Sequence, residues 1–125
     1  MADILPAFPL SLVAFPGEEL NLHIFEPLYK QLIYECDQSG KTFTILPYYD
    51  GKKIEYATEM QLVEIARIYE DGKMDIRTKG IGLVKILDFF DRHPNMLFPG
   101  VEIQKLDWED NADFVIITKF LQKVR

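Results

Sequence analysis

Phe8-Pro9-Leu10, followed by Phe15-Pro16-Gly17-Glu18-Glu19-Leu20-Asn21-Leu22-His23-Ile24-Phe25-Glu26-Pro27-Leu28-Tyr29, decides the fold, because it reads in turn as strand, turn, strand and helix. Phe8, Leu10, Leu12 and Ala14 alternate with Pro9, Ser11, Val13 and Phe15, and a period of two predicts a strand. Pro6 and Pro9 carry no N–H, which predicts a sheet edge or an interrupted strand start. Pro16-Gly17 predicts a turn, since proline presets φ and glycine accepts positive φ. Leu20, Leu22 and Ile24 then alternate with Glu19, Asn21 and His23, the pattern of a half-buried strand. At Glu26-Pro27 a helix begins: proline suits the first helical position, and the carboxylate suits the positive end of the helix dipole. Leu28, Leu32, Ile33 and Cys36 form one apolar stripe, and Gly40 can close the helix in the left-handed conformation. The helix is placed from about Pro27 to Asp37.

Beyond Gly40 the period returns to two. Thr42–Tyr49 is rich in β-branched and aromatic residues and predicts a strand, closed by an Asp50-Gly51 turn. Gln61–Tyr69 predicts a long strand, with Leu62, Glu64, Ala66 and Ile68 on one face and Val63, Ile65, Arg67 and Tyr69 on the other. Asp71-Gly72-Lys73 turns it back into Met74–Lys79. Gly80-Ile81-Gly82 marks a bend or bulge before Leu83–Phe90, and Val101–Leu106 is the last strand. Asp91–Asn95 reads as a loop. In the final segment Phe114, Ile117, Leu121 and Val124 recur at helical spacing, with acids at the start and bases at the end. The predicted plan is mainly β within an α+β class: a strongly bent sheet or semi-open barrel with one early helix and a C-terminal helix. Residues 1–109 form the β domain, and 110–125 form the helix, which could begin a helical subdomain.

With 125 residues, one domain is expected, large enough to bury about two thirds of its unfolded surface without disulfide or metal. The lone cysteine, Cys36, precludes an internal disulfide and fits a reducing compartment. No signal-peptide pattern opens the sequence, and no apolar run approaches the roughly 18 residues of a membrane span, so a cytoplasmic location is expected. The net charge of -6, with scattered Lys and Arg, argues against nucleic acid, which needs a clustered basic surface.

Few residues carry a pattern that points to chemistry. His23 faces away from Leu20, Leu22 and Ile24; with no second His or Cys nearby in sequence, it reads as a structural peg bonded to backbone near the helix start rather than as a base or ligand. His93, before Pro94, reads as solvated. Cys36 lies on the apolar stripe and reads as a small buried hydrophobe. Asp107, Glu109, Asp110 and Asp113 lack the glycine and late glutamate of a calcium loop and read as helix-capping acids, with Trp108 covering the junction. Gly80-Ile81-Gly82 lacks the third glycine and the helix of a dinucleotide site. No triad, metal cluster or phosphate loop can be assembled, so catalytic residues, metal and cofactor are not expected. The candidates for a binding surface are aromatic: Tyr48-Tyr49 and Phe89-Phe90, where adjacent residues point to opposite faces, and then Phe98.

The opening stretch resembles the substrate-binding N-terminal domain of Lon-type ATP-dependent proteases. Phe8-Pro9-Leu10 and Phe15-Pro16-Gly17, then Leu20, Leu22, His23, Ile24, Phe25, Glu26, Pro27 and Tyr29, match the family pattern, and these residues read as structural. Farther on, Glu64–Tyr69, Asp71-Gly72-Lys73 and Ile76–Gly80 follow its strand–turn–strand–glycine plan, so the resemblance spans roughly residues 5 to 107. Asn21 stands where the family has proline, Leu28 where it has arginine, and Leu83-Val84 where it has an Arg-Phe pair. The resemblance implies a PUA-like β fold and recognition of unfolded or damaged polypeptide for a proteolytic or quality-control system. It implies neither ATP hydrolysis nor proteolysis, which belong to other domains of Lon. It fits a stand-alone domain and a piece of a longer chain equally. The expected partners are unfolded polypeptide or another protein, captured by β-augmentation or on an aromatic patch. The alternatives are a self-association or scaffold domain and, by analogy of barrel type, an RNA-binding one.

Overall fold

The computed structural model describes residues 3–10, 14–47, 55–90, 92 and 96–106. Among these residues six strands and one helix follow in chain order: β1 (Asp3–Leu10), β2 (Glu19–Ile24), α1 (Pro27–Ser39), β3 (Phe43–Pro47), β4 (Tyr56–Ile68), β5 (Met74–Phe90) and β6 (Gly100–Lys105). The sheet runs β2-β5-β4-β3-β1-β6, and β5 also pairs with β6, so the sheet bends until it meets itself. β5 makes this possible by its length. Its first part, Met74–Lys79, pairs with β2, and its second, Val84–Phe90, pairs with β6, while β4 runs along its other side. The segment containing Tyr48, Tyr49, Asp50 and Gly51, the loop residues His93 and Pro94, and the predicted C-terminal helix with Trp108 lie outside the described residues.

The prolines of β1 do not drive it to an edge. β1 lies between β3 and β6, and the reason is a change of partner halfway along. Asp3–Pro6 pairs antiparallel with β6, whereas Ala7–Leu10 pairs parallel with β3. Ala7 donates its N–H to the Pro99 carbonyl, so by alternation the N–H that Pro6 lacks would face β3, and the one that Pro9 lacks would face the β6 side. Each proline thus turns its missing donor toward the side on which its half of the strand has no partner.

Four bulges supply the curvature. One sets Ile81 against the Glu59/Met60 step, as the glycine pair predicts; the others fall at Val63, Ala66 and Leu87. Val63, Ile81 and Leu87 are among the exposed large apolar residues because a bulge removes them from the alternation that buries their neighbours. The simple two-face reading of Gln61–Tyr69 fails for the same reason: Leu62 and Ile65 both pack against the core, while Glu64 and Arg67 point outward.

The bend closes on a core containing Phe8, Ile24, Leu32, Ile33, Phe43, Met60, Met74, Ile76 and Phe98. A second cluster is built from Ala7, Ala57, Val84, Val101 and Ile103. α1 contributes Leu32, Ile33 and Cys36, and ends at Ser39, two residues beyond the predicted stop, with Gly40 as its cap at φ 71°. Leu28, in the place of the family arginine, packs against the core, and Leu83 and Val84 are buried.

Three buried threonines bind the opening segment to the sheet. Thr44 on β3 donates to the Pro6 carbonyl at 3.0 Å, Thr58 on β4 donates to Ala14, and Thr78 on β5 donates to Leu20 at 2.9 Å. Buried Glu59 accepts a 2.6 Å hydrogen bond from Thr42 and lies 3.9 Å from Lys105. Replacing Thr58 with valine keeps the shape and leaves a buried carbonyl unpaired, so Thr58→Val is expected to lose about 1–3 kcal/mol in urea unfolding. An added Cβ at Gly80 would sit 2.5 Å from the Phe15 carbonyl oxygen, so Gly80→Ala forces backbone apart and is expected to lose about 1–3 kcal/mol in the same assay.

Candidate binding site

The motif that decides the fold also builds a pocket. It is lined by Phe8, Pro9 and Leu10 from β1, His23 and Ile24 from the end of β2, Phe25 and Glu26 from the joint, and Tyr29 from α1. β2 buries Ile24, and strand alternation then turns His23 outward. The helix starts at once, because Pro27 takes the first helical position and the Glu26 carbonyl accepts from the N–H groups of Tyr29 and Lys30 at 3.1 and 3.0 Å. That start brings the Tyr29 ring flat against Phe8, with centroids 4.3 Å apart and planes 12° apart. Phe25 closes one side with its ring 55% exposed. The pocket holds about 100 Å³. Cofactor and drug-sized sites occupy roughly 300–1,000 Å³, so this space suits a single side chain.

Beside the pocket runs a strand edge that none of the described strands covers. β2 has β5 as its one hydrogen-bonded neighbour among the described strands. Gly80 donates to the Glu18 carbonyl, which sets the alternation: Leu20, Leu22 and Ile24 direct their backbone groups to β5, and Glu19, Asn21 and His23 direct theirs outward. These unpaired donors and acceptors can template an added strand.

The outer face of the same sheet is polar and ordered in cross-strand rows: His23–Asp75–Arg67, Asn21–Arg77–Glu64 and Glu19–Lys79–Gln61. His23 Nδ1 lies 2.7 Å from Asp75 Oδ1, and the Tyr69 hydroxyl donates to Asp75 Oδ2 at 2.6 Å. The Arg67 guanidinium covers the Tyr69 ring at 4.3 Å. The Tyr69 hydroxyl, and then His23, hold the Asp75 carboxyl below the ordinary carboxylate range, and the same hydroxyl bond raises the Tyr69 phenol. His23 therefore pegs β2 to β5 through a carboxylate, not through backbone as the sequence suggests.

The cysteine takes no part in this arrangement. Cys36 is buried in the core, where burial, and then the nearby Glu35 charge, push its thiol up to about 12, so it stays protonated at neutral pH. Among the described residues no three His, Cys, Asp or Glu side chains group in a way that could hold a metal. None of the described helices is long and apolar enough to cross a membrane.

The aromatic candidates fare unevenly. Phe98 is a correction: it is fully buried in the main core and offers no surface, because the segment after the loop folds inward. Phe89 is 45% exposed and Phe90 half-buried, on the far half of β5 opposite Val101 and Gly100. Tyr48 and Tyr49 lie outside the described residues. Phe15, Pro16 and Gly17 form the expected turn against Gly80, with Gly17 at φ 83°. The structure instead gathers Phe8, Pro9, Leu10, His23, Phe25, Glu26 and Tyr29 around one cavity. No signal in the sequence indicates that residues read as structural would share a solvent-facing pocket.

The model of the family described as ATP-dependent protease La (LON) substrate-binding domain matches residues 4–123. The chain belongs to the Lon substrate-binding domain family. A LON peptidase N-terminal domain and RING finger protein of Schizosaccharomyces pombe is 29% identical over 120 aligned residues, covering 81% of this chain and 24% of that protein. The chain thus spans about a quarter of that relative's length. A crystal structure of a Lon N-terminal domain protein from Xanthomonas campestris superposes with a TM-score of 0.71 at 26% identity, covering 84% of this chain and 60% of the other. The N-terminal domain of a Mycobacterium avium complex Lon protease superposes at 0.68 with 12% identity, covering 84% and 55%, which speaks for the fold alone. The matched family model is that of the substrate-binding domain, without the ATPase or protease parts of Lon.

The Asp75 cluster makes a pH prediction with a definite sign. A depressed Asp75 contributes stability that is present above the ordinary carboxylate range and fades as pH falls through its folded value. A raised Tyr69 contributes stability that is present below the ordinary phenol range and fades as pH rises through its folded value. Tyr69→Phe removes the largest cause of the Asp75 shift, so an NMR titration of the Asp75 carboxyl is expected to move up toward the ordinary value.

Proposed function

We propose that this domain is a non-catalytic module that recognises unfolded or damaged polypeptide segments for a proteolytic or quality-control system. The observation that carries the reading is the edge of β2, uncovered among the described strands, ending at a pocket sized for one side chain, in a member of the Lon substrate-binding family. An unfolded segment has free backbone groups and exposed side chains; a folded protein has hidden both. Adding such a segment to β2 pairs the outward groups of Glu19, Asn21 and His23 and leaves one incoming side chain facing the pocket. Backbone pairing is indifferent to sequence, which suits a receptor that must accept many clients. The polar rows beside β2 on the outer face are wettable, whereas the edge offers backbone groups and the pocket offers apolar walls.

The test is fluorescence anisotropy of a labelled, permanently unfolded protein titrated with this domain, its folded counterpart serving as control. Saturable binding to the unfolded form alone is expected. No binding up to about millimolar domain, the weak end of useful affinity, overturns the proposal.

A further inference from the structure

The walls of the pocket are of two kinds. Phe8, Leu10, Ile24, Phe25 and Tyr29 supply apolar surface, and Glu26 is the one acidic residue of the lining. Glu26 caps no N–H of the helix with its side chain, and no ion pair or side-chain hydrogen bond satisfies it among the described residues. No lysine or arginine lines the pocket. Of the other titratable liners, Tyr29 lies with its ring flat against Phe8, and His23 has its Nδ1 committed to Asp75, which is itself held in the charged form by Tyr69. The helix N-terminus adds about half a positive charge, which a full carboxylate charge outweighs.

We infer that, on the polypeptide-binding reading above, this pocket takes a lysine or arginine side chain of the bound segment. The aliphatic stem lies against the Phe8, Tyr29 and Phe25 walls, and the cation sits at the mouth beside Glu26. The choice follows from what each class of side chain would meet. A purely apolar side chain fills the cavity but leaves the Glu26 carboxylate at its mouth without a partner. An acidic side chain meets Glu26 with the same sign. A short polar side chain leaves the aromatic walls wet. A basic side chain alone has both an apolar stem and a charged tip, the division the pocket presents. The half-exposed Phe25 ring, beside Glu26, adds an aromatic face for the cation. The chain carries a net charge of -6, while the cross-strand rows beside the pocket set Arg67, Arg77 and Lys79 against Asp75, Glu64 and Glu19, so Glu26 is the charge that the pocket itself presents.

The test compares three versions of a short, labelled, extended peptide, alike except for a central lysine, acetyl-lysine or glutamate, by fluorescence anisotropy. Acetyl-lysine keeps the stem and removes the charge, so it isolates the cation. The lysine peptide is expected to bind about tenfold more tightly than the acetyl-lysine peptide, with the glutamate peptide weaker still. Glu26→Gln and Phe25→Ala are each expected to shrink that ratio toward one. Both side chains are exposed, and thermal unfolding checks that each variant is folded. Equal binding of the lysine and acetyl-lysine peptides, or a lysine preference that survives Glu26→Gln, overturns the inference. If an unfolded protein still binds in that case, the polypeptide-binding reading stands without it. If neither the peptides nor an unfolded protein bind, both fall.

Discussion

Gly80 is the point on which the architecture turns. Its N–H donates to Glu18, its carbonyl accepts from Gly17, and the Phe15 carbonyl lies where any side chain would begin. There the opening segment crosses against β5, the β2 pairing begins, and the bulge at Ile81 redirects the strand toward β6. One long strand can serve two partners on the same side because it bends at a residue without a side chain. The exposure of Ile81 and the handover of β5 from β2 to β6 descend from that arrangement.

The site follows from the fold by economy of chain. β2 ends at Ile24, the helix begins at Pro27, and the short joint between them cannot be buried without stranding its backbone. Phe25 and Glu26 therefore project outward, while Tyr29, one turn into α1, folds back onto Phe8. Residues that look like fold determinants in the sequence are fold determinants, and they also form a concave surface. Structure and binding make the same demand on this stretch: a rigid strand-to-helix corner.

Much of this was legible beforehand. Period two in Leu20–Ile24, the stripe through Leu32, Ile33 and Cys36, and the glycines at 17, 40 and 72 gave the early strand, the helix and the turns, because each depends on neighbours in sequence. What depends on distant partners was not legible. Asp75 answers His23 across 52 residues, and the burial of Phe98 depends on how its segment folds over the core. The bulges at Val63 and Ala66 break an alternation that looks regular in the sequence, and the strand exchange within β1 makes room for prolines that otherwise signal an edge. The aromatic pairs drew attention by composition, whereas the pocket arises from residues in two strands that do not pair with each other.

The central claim is that extended polypeptide is received at the outer edge of β2 and the adjoining pocket. Amide chemical-shift mapping of the isotope-labelled domain, titrated with an unfolded polypeptide, tests it most directly. The account predicts that the largest shifts fall on Glu19, Asn21 and His23, with Phe8, Phe25 and Tyr29 moving in step. Shifts confined to the far half of β5 around Phe89, with β2 silent, would contradict it.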